Sequence, residues 1–102
     1  MNKADKERYD LLIQMGCLIC LKEGNHTPPQ IHHPYGRKKD GNQKTIPLCY
    51  YHHMADQEKP VCPEYISRHP FKARFEARYG SEATLLEETN RRLERLREAL
   101  TS

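Results

Sequence analysis

The hydrophobic positions at the start of the chain follow the period of an α-helix. Within residues 4–15, Tyr9, Leu12 and Ile13 recur at helical spacing. Gly16 comes next, where a left-handed C-terminal cap would lie. The pattern therefore predicts an N-terminal helix that ends just before Gly16.

The same period returns after residue 70. Residues 70–79 start with a proline, precede Gly80, and carry three aromatic side chains on one face: Phe71, Phe75 and Tyr79. A proline in the first turn and a glycine after the last one are typical of the two ends of a helix. These features predict a helix over residues 70–79.

A second C-terminal helix is predicted from a capping signal and a leucine stripe. Thr84 and Glu87 have the spacing of a capping box. Leucines then recur at helical intervals among charged residues, at Leu86, Leu93, Leu96 and Leu100. We expect this stripe to dock on the core of the same domain. A seam between two copies is the alternative, so the chain is expected to be a monomer or a weak homodimer.

The middle of the chain is too rich in turn-forming residues for a long helix. Two short extended segments, residues 30–33 and 44–48, flank a natural turn at residues 40–42 and could pair as a hairpin. From Cys49 to about Gln57 neither Gly nor Pro intervenes, which allows a short helix. The expected fold is one α+β domain over residues 1–102: an N-terminal helix in 1–16, a core in 17–69, and C-terminal helices in 70–102.

The composition indicates that hydrophobic burial alone would give a thin core. Only 36% of the 102 residues are apolar and 30% are charged, with no Trp and two Phe. No run approaches the roughly 20 apolar residues of a membrane span, and the first residues are charged, unlike a signal peptide. We therefore expect a soluble, cytoplasmic protein, in which cysteines are more often metal ligands than disulfides.

Two chelating pairs predict a structural zinc site. Cys17-x-x-Cys20 and Cys49-x-x-His52 each place two donors on one tight turn, as tetrahedral zinc requires. Cys62 is an alternative to His52 as the fourth ligand. A redox role for Cys17 and Cys20 is less consistent with the sequence, because the strand-to-helix context of a thioredoxin motif is missing. Zinc would supply stability that the small core lacks.

Histidines and basic residues are concentrated in the same region. Two adjacent pairs, His32-His33 and His52-His53, stand out among six histidines, and His26 reads as a surface residue. In a strand, His32 and His33 would point to opposite faces. The net charge is +3, and Arg37, followed by two lysines, could clamp a phosphate or form an exposed charged turn.

These residues, in this order, resemble the HNH (His-Me finger) nucleases. The ordered set comprises Cys17-x-x-Cys20, Ile31-His32-His33, Gly36-Arg37, Thr45-Ile46-Pro47-Leu48-Cys49-x-x-His52-His53, His69, Phe75 and Tyr79-Gly80. Within that class the chain is most similar to the phage RecA-dependent recombination-enhancement nucleases and their small prophage relatives. The resemblance implies a zinc-braced ββα-metal finger that cuts DNA.

The resemblance also implies roles for individual residues. His33 would be the general base, and His32, His53 and His69 would hold a catalytic divalent ion, Mg²⁺ or Mn²⁺. A RecA-type recombinase filament would be a possible partner. The middle Asn of the HNH motif normally lies shortly before the second zinc pair, at Lys44 or Thr45 of this chain, and Asn42 is out of that register. The competing interpretation is a non-catalytic zinc module that binds nucleic acid or protein.

Overall fold

The computed structural model describes residues 2–37, 39–54, 66–68 and 71–101, with only the backbone of residues 39 and 40. Cys62 and His69, two of the predicted metal ligands, lie outside the described residues, as does Gln57. The elements in chain order are α1 Lys3–Met15, α2 Leu18–Lys22, β1 Gln30–His32, a 3₁₀ helix Lys39–Gln43, β2 Ile46–Leu48, α3 Tyr50–His53, α4 Lys72–Tyr79 and α5 Glu82–Thr101. The predicted α+β class is confirmed.

Helix α1 forms where the sequence predicts it, with a cap at each end. The Asn2 side chain accepts a hydrogen bond from the Asp5 backbone N–H, 2.8 Å away. Gly16 adopts a positive φ of 85° and its N–H donates to the Leu12 carbonyl. A side chain at position 16 would be strained by that backbone conformation and would crowd the His26 ring. The chain therefore turns sharply at Gly16 and continues directly into Cys17.

The two strands pair antiparallel, as the hairpin prediction requires, but each has only three residues. His32 lies opposite Ile46, and Ile31 lies opposite Pro47. A proline is tolerated here because each strand of a two-stranded sheet has an edge without hydrogen bonds. A 3₁₀ helix occupies part of the connection, where the sequence predicts a simple turn. Helix α3 follows β2 directly and packs against both strands.

The C-terminal helices are confirmed, but the cap of the second one was predicted wrongly. The Ser81 hydroxyl, not that of Thr84, accepts the capping hydrogen bond, which comes from the Thr84 N–H at 3.1 Å. Gly80, with φ of 111°, ends α4 and leaves Ser81 as the residue immediately before α5. Thr84 therefore lies inside the helix. Among the described helices, none is long and apolar enough to cross a membrane.

The core lies between α1, the sheet, α2 and the two C-terminal helices. It is built from buried side chains of each: Leu11, Leu12, Leu18, Ile19, Ile46, Leu48, Phe75, Leu85 and Leu93. The predicted docking of α5 is confirmed at Leu93, whereas Leu85 is fully buried and the predicted Leu86 is only partly covered. Leu100 is exposed, so the predicted stripe leaves the core before the helix ends.

A buried arginine joins α1 to the sheet and to α5. Arg8 donates from Nε to Thr45 Oγ1 at 2.8 Å and from a terminal nitrogen to the Thr45 carbonyl oxygen at 2.6 Å. Its other terminal nitrogen donates to Asn90 Oδ1 at 2.9 Å. Hydrogen bonds from a charged donor in a buried position are among the stronger ones in proteins. Arg8 therefore fixes the N-terminal helix against the start of β2.

The variant Arg8→Met should lower the free energy of unfolding by about 2–3 kcal/mol, because it leaves the buried Thr45 carbonyl and hydroxyl without their charged donor. Denaturant unfolding of zinc-loaded protein measures the change. Arg91→Met is the matched control, since Arg91 is exposed on α5 and its loss should cost less than about 0.5 kcal/mol. Equal shifts for the two variants would contradict the structural role of Arg8.

Candidate metal centre and histidine site

Cys17, Cys20, Cys49 and His52 converge into one buried cluster. Their ligand atoms all lie within 4.8 Å of one another. His52 Nδ1 lies 3.2 Å from the Cys49 sulfur, 3.6 Å from Cys17 and 3.7 Å from Cys20, and the sulfurs of Cys20 and Cys49 are 3.7 Å apart. All three cysteines are free thiols rather than disulfide partners. The two predicted chelating pairs are therefore brought together.

The spacing of these four donors fits zinc. Zinc–sulfur bonds of about 2.3 Å and zinc–nitrogen bonds of about 2.0–2.1 Å at tetrahedral angles place two sulfurs roughly 3.8 Å apart and a sulfur and a nitrogen roughly 3.6 Å apart. The observed distances of 3.2–3.7 Å are close to these values. Four protein donors would close the coordination shell, which is typical of a structural site. The cluster could thus hold a metal ion such as zinc.

The electrostatics of the cluster also favour a cation. A hydrogen bond from Cys17 and the contact with His52 lower the pKa of the Cys49 thiol to about 3. The hydrogen bond to Cys49, together with burial, raises the pKa of Cys17, and burial raises that of Cys20. One thiolate is therefore stable here alone, but three adjacent thiolates require a compensating positive charge. Zinc supplies that charge when bound.

Short helices position the ligands, and α4 covers them. Cys17 immediately precedes α2 and Cys20 lies within it, while Cys49 precedes α3 and His52 lies within that helix. The His52 ring stacks edge-on against Tyr79, with centroids 5.3 Å apart, and Tyr79 packs in turn on the buried Phe75. The aromatic face predicted for residues 70–79 therefore seals the metal centre from one side.

His32 and His33 point to different surroundings, as the geometry of a strand requires. His32 is buried, and its Nε2 lies 3.0 Å from a carboxylate oxygen of Glu82 at the start of α5. The same oxygen accepts a hydrogen bond from Arg68. Burial alone would raise the pKa of Glu82, but the hydrogen bonds from Arg68 and His32 outweigh it and lower that pKa. Glu82 is therefore an ionised acceptor, so His32 Nε2 carries a proton.

His53 lies beside His32. The two imidazole rings meet edge-on with centroids 5.0 Å apart, and both are buried. His53 Nδ1 donates to Gln30 Oε1 at 2.9 Å. The structure thus brings together two of the three residues predicted to hold a catalytic cation. The third, His69, lies outside the described residues.

His33 faces α1 and the 3₁₀ helix instead. Its Nε2 lies 2.9 Å from the Tyr9 hydroxyl and 3.1 Å from Asn42 Oδ1. The loop that carries Asn42 approaches closely because Gly41 packs directly on the Gly36 carbonyl, where a side chain would clash. The ring is half-buried, in contrast to the buried His32. His33 is therefore fixed through Nε2 in a half-buried position.

Arg37 lies exposed on the bend that follows His33, and two other basic side chains, Lys44 and Arg74, are also exposed. Lys44 is exposed next to β2, and Arg74 on α4 lies over the Phe71 ring, 5.4 Å from its centroid. These positions leave the positive side chains accessible to a polyanion. The role of Arg37 at a phosphate stays a prediction.

A comparison with protein families identifies the group to which the chain belongs. The family model described as "Recombination enhancement, RecA-dependent nuclease" matches residues 2–94, which run from α1 into α5. The chain belongs to the RecA-dependent nuclease family. The family description indicates a nuclease and involves DNA and RecA. No curated protein matches the chain.

Two polar residues that contact these histidines, Glu82 and Tyr9, were not expected from the sequence. Glu82 contacts His32 from 50 residues away, and Tyr9 contacts His33 from 24 residues away. Glu82 could be taken for an ordinary charge at the start of a helix, and Tyr9 for a core residue of α1. Of the residues that contact His33, Asn42 was the one that the sequence could have indicated, because it has the residue type of the HNH motif, although not its register.

Proposed function

We propose that the protein is a metal-dependent DNA endonuclease that hydrolyses phosphodiester bonds with His33 as its general base. The observation that carries the proposal is the separation of the two adjacent histidines. His33 is half-buried and hydrogen-bonded through Nε2, whereas His32 is buried beside His53. The end of β1 thus places the half-buried His33 as a base next to a pair of imidazoles, His32 and His53, that could bind a cation.

The base must accept a proton from water at neutral pH. Imidazole has an ordinary pKa of about 6.5, so its neutral form is available to do this. The hydrogen bonds of His33 to Tyr9 and Asn42 hold the ring in one orientation, which a general base needs if it is to reach the attacking water. Arg37 lies four positions further along the same loop, and its guanidinium would bind the phosphate under attack.

His32 and His53 would hold the divalent cation. Glu82 and Gln30 accept protons from His32 Nε2 and His53 Nδ1, so the neutral rings would offer Nδ1 and Nε2 respectively to the cation. His69 would be a third ligand. Bound Mg²⁺ or Mn²⁺ would stabilise the negative charge that develops on the phosphate and the leaving oxygen. Glu82, which accepts a hydrogen bond from Arg68, would hold the His32 ring in this orientation.

The elements around these residues support the HNH class. Strands β1 and β2 and helix α3 follow one another in the order of a ββα-metal finger, with His33 directly after β1 and His53 at the end of α3. The Cys17, Cys20, Cys49 and His52 cluster ties α3 to α2. In this proposal zinc braces the finger, and His32, His33 and His53 provide the base and the cation ligands.

We expect cutting to depend on a recombinase filament, as the family description implies. Supercoiled plasmid should be nicked faster when a RecA-type filament on a homologous oligonucleotide is present than when the protein is alone. A filament on a heterologous oligonucleotide is the control for protein crowding, and His33→Ala is the control for contaminating nuclease. Gel quantification of nicked plasmid gives the rates.

The results of this assay distinguish recombinase dependence from nuclease activity itself. Equal rates with and without the filament would contradict recombinase dependence and leave the nuclease in place. Absence of nicking under every condition, together with salt-dependent binding of DNA, would contradict the nuclease and favour a binding module.

A further inference from the structure

A chain of hydrogen bonds connects the His33 ring to the first turns of α1. His33 Nε2 contacts Asn42 Oδ1, and Asn42 Nδ2 donates to a carboxylate oxygen of Asp5 at 3.3 Å. The other Asp5 oxygen accepts from Gln43 Nε2 at 2.5 Å. Asp5 is buried, with an exposed fraction of 7%. A buried acid at the N-terminus is thus linked, through one amide, to the proposed catalytic base.

The direction of each hydrogen bond follows from the acid. The hydrogen bond from Gln43 outweighs the effect of burial and lowers the pKa of Asp5, and Asn42 and the backbone at Asp5 add to the lowering. An ionised carboxylate has no proton to donate, so Asn42 must turn its NH₂ group towards Asp5. The carbonyl oxygen of the amide then faces His33, where it can only accept. His33 Nε2 must therefore carry a proton.

We propose that Asp5, acting through Asn42, holds the His33 imidazole as the Nε2–H tautomer and makes Nδ1 the nitrogen that accepts a proton from water. This inference rests on the proposed function, and it makes Asp5 and Asn42 positioning residues rather than catalytic ones. Within the described residues, His33 Nδ1 has no hydrogen-bond partner, and the ring is half-buried, so this nitrogen can meet a water molecule.

Tyr9 supports this arrangement without deciding it. Its hydroxyl lies 3.1 Å from Asn42 Oδ1, to which it donates, and 2.9 Å from His33 Nε2, from which it can accept. A hydroxyl can accept from one group while it donates to another. Because a hydroxyl serves either tautomer of an imidazole, Tyr9 does not select between them. The selection comes from the carboxylate of Asp5, the one member of the network that cannot donate.

The tautomer can be measured directly by nitrogen NMR of the zinc-loaded full chain without added Mg²⁺ or Mn²⁺. Long-range proton–nitrogen correlations distinguish a protonated ring nitrogen from one with a lone pair, and the His33 signals are those missing from His33→Ala. At a pH where the ring is neutral, the wild-type protein should show the proton on Nε2. A proton on Nδ1 would overturn the inference before any variant is made.

Variants then test which residue makes the selection. Asp5→Asn keeps the shape but can donate as well as accept, so His33 should show a mixture of tautomers, whereas Tyr9→Phe should keep the Nε2–H form. Asp10→Asn is the matched control, because Asp10 is an exposed acid on the same helix. An unchanged tautomer in Asp5→Asn would overturn the role of Asp5.

The link to catalysis is tested by the nicking rate of the same variants. A positioned general base contributes about 10²–10⁴-fold, so partial loss of the correct tautomer in Asp5→Asn should slow nicking by about tenfold or more, and Asp10→Asn should match wild type. A wild-type rate in Asp5→Asn with an altered tautomer would overturn the catalytic role of Nδ1. If the proposed function is wrong, the result differs: the wild-type protein does not nick DNA, although its spectrum still shows the Nε2–H tautomer.

Discussion

Removal of zinc should unfold most of the chain. The Cys17, Cys20, Cys49 and His52 cluster ties α2 to α3 at the centre of the core, and α4 packs on it through Tyr79. Structural zinc contributes an apparent 10–16 kcal/mol in small zinc-finger peptides, about as much as the whole stability of a typical domain, roughly 5–15 kcal/mol. Zinc also supplies the positive charge that allows three adjacent buried thiols to be ionised, and this charge is lost with the ion.

A chelator titration followed by circular dichroism measures the effect. Addition of a strong chelator should abolish the cooperative melting transition, and stoichiometric zinc should restore it. A melting temperature that is unchanged after zinc has been shown to leave the protein would contradict a structural role for the ion.

Two variants determine which residue is the fourth ligand. His52→Ala should lower the zinc content below one ion per chain and destabilise the fold, because His52 Nδ1 lies 3.2–3.7 Å from all three sulfurs. Cys62→Ser should keep both zinc and stability. The reverse result, with zinc lost in Cys62→Ser and kept in His52→Ala, would assign the fourth position to Cys62.

Substitution of the proposed base should have the second large effect. His33→Ala is expected to slow plasmid nicking by about 10²–10⁴-fold, the usual contribution of a general base. The zinc site and the core should be unaffected, because His33 lies outside both and its ring contacts Tyr9 and Asn42. Metal analysis and thermal melting of the purified variant verify that the loss is one of chemistry.

His26→Ala is the matched control for this prediction. His26 is exposed, and its Nε2 donates a hydrogen bond to the Gln14 carbonyl oxygen at 3.2 Å, so it has none of the contacts of His33. We expect its nicking rate to equal that of the wild type. A comparable loss in both variants would indicate a general effect of removing a histidine and would contradict the special role of His33.

Local patterns were sufficient to predict most of the elements. Helix α1 and its Gly16 cap, the short hairpin and helix α4 follow from periodicity and from the conformational preferences of Gly and Pro. The cap of α5 was missed because Ser81 and Thr84 both offer a hydroxyl three residues apart. The end of α4 at Gly80, which the sequence does predict, places Ser81 immediately before α5 and decides between them.

The metal cluster was predictable for a different reason. Two chelating pairs impose their own geometry, so Cys17, Cys20, Cys49 and His52 can be grouped without knowledge of the fold. The surroundings of His32 and His33 could not be predicted in this way. Glu82 and Asp5 reach them only because α5 and α1 pack beside the sheet, and a charged residue on a helix surface carries no sign of its partner in the sequence.

Chemical rescue tests the central claim most directly. His33→Ala, loaded with zinc and supplied with Mn²⁺, supercoiled plasmid and a homologous recombinase filament, would be assayed for nicking over a range of imidazole concentrations. If His33 is the general base, imidazole should restore nicking in proportion to its neutral form and leave the wild-type rate unchanged. Nicking by His33→Ala at the wild-type rate without imidazole would contradict the account.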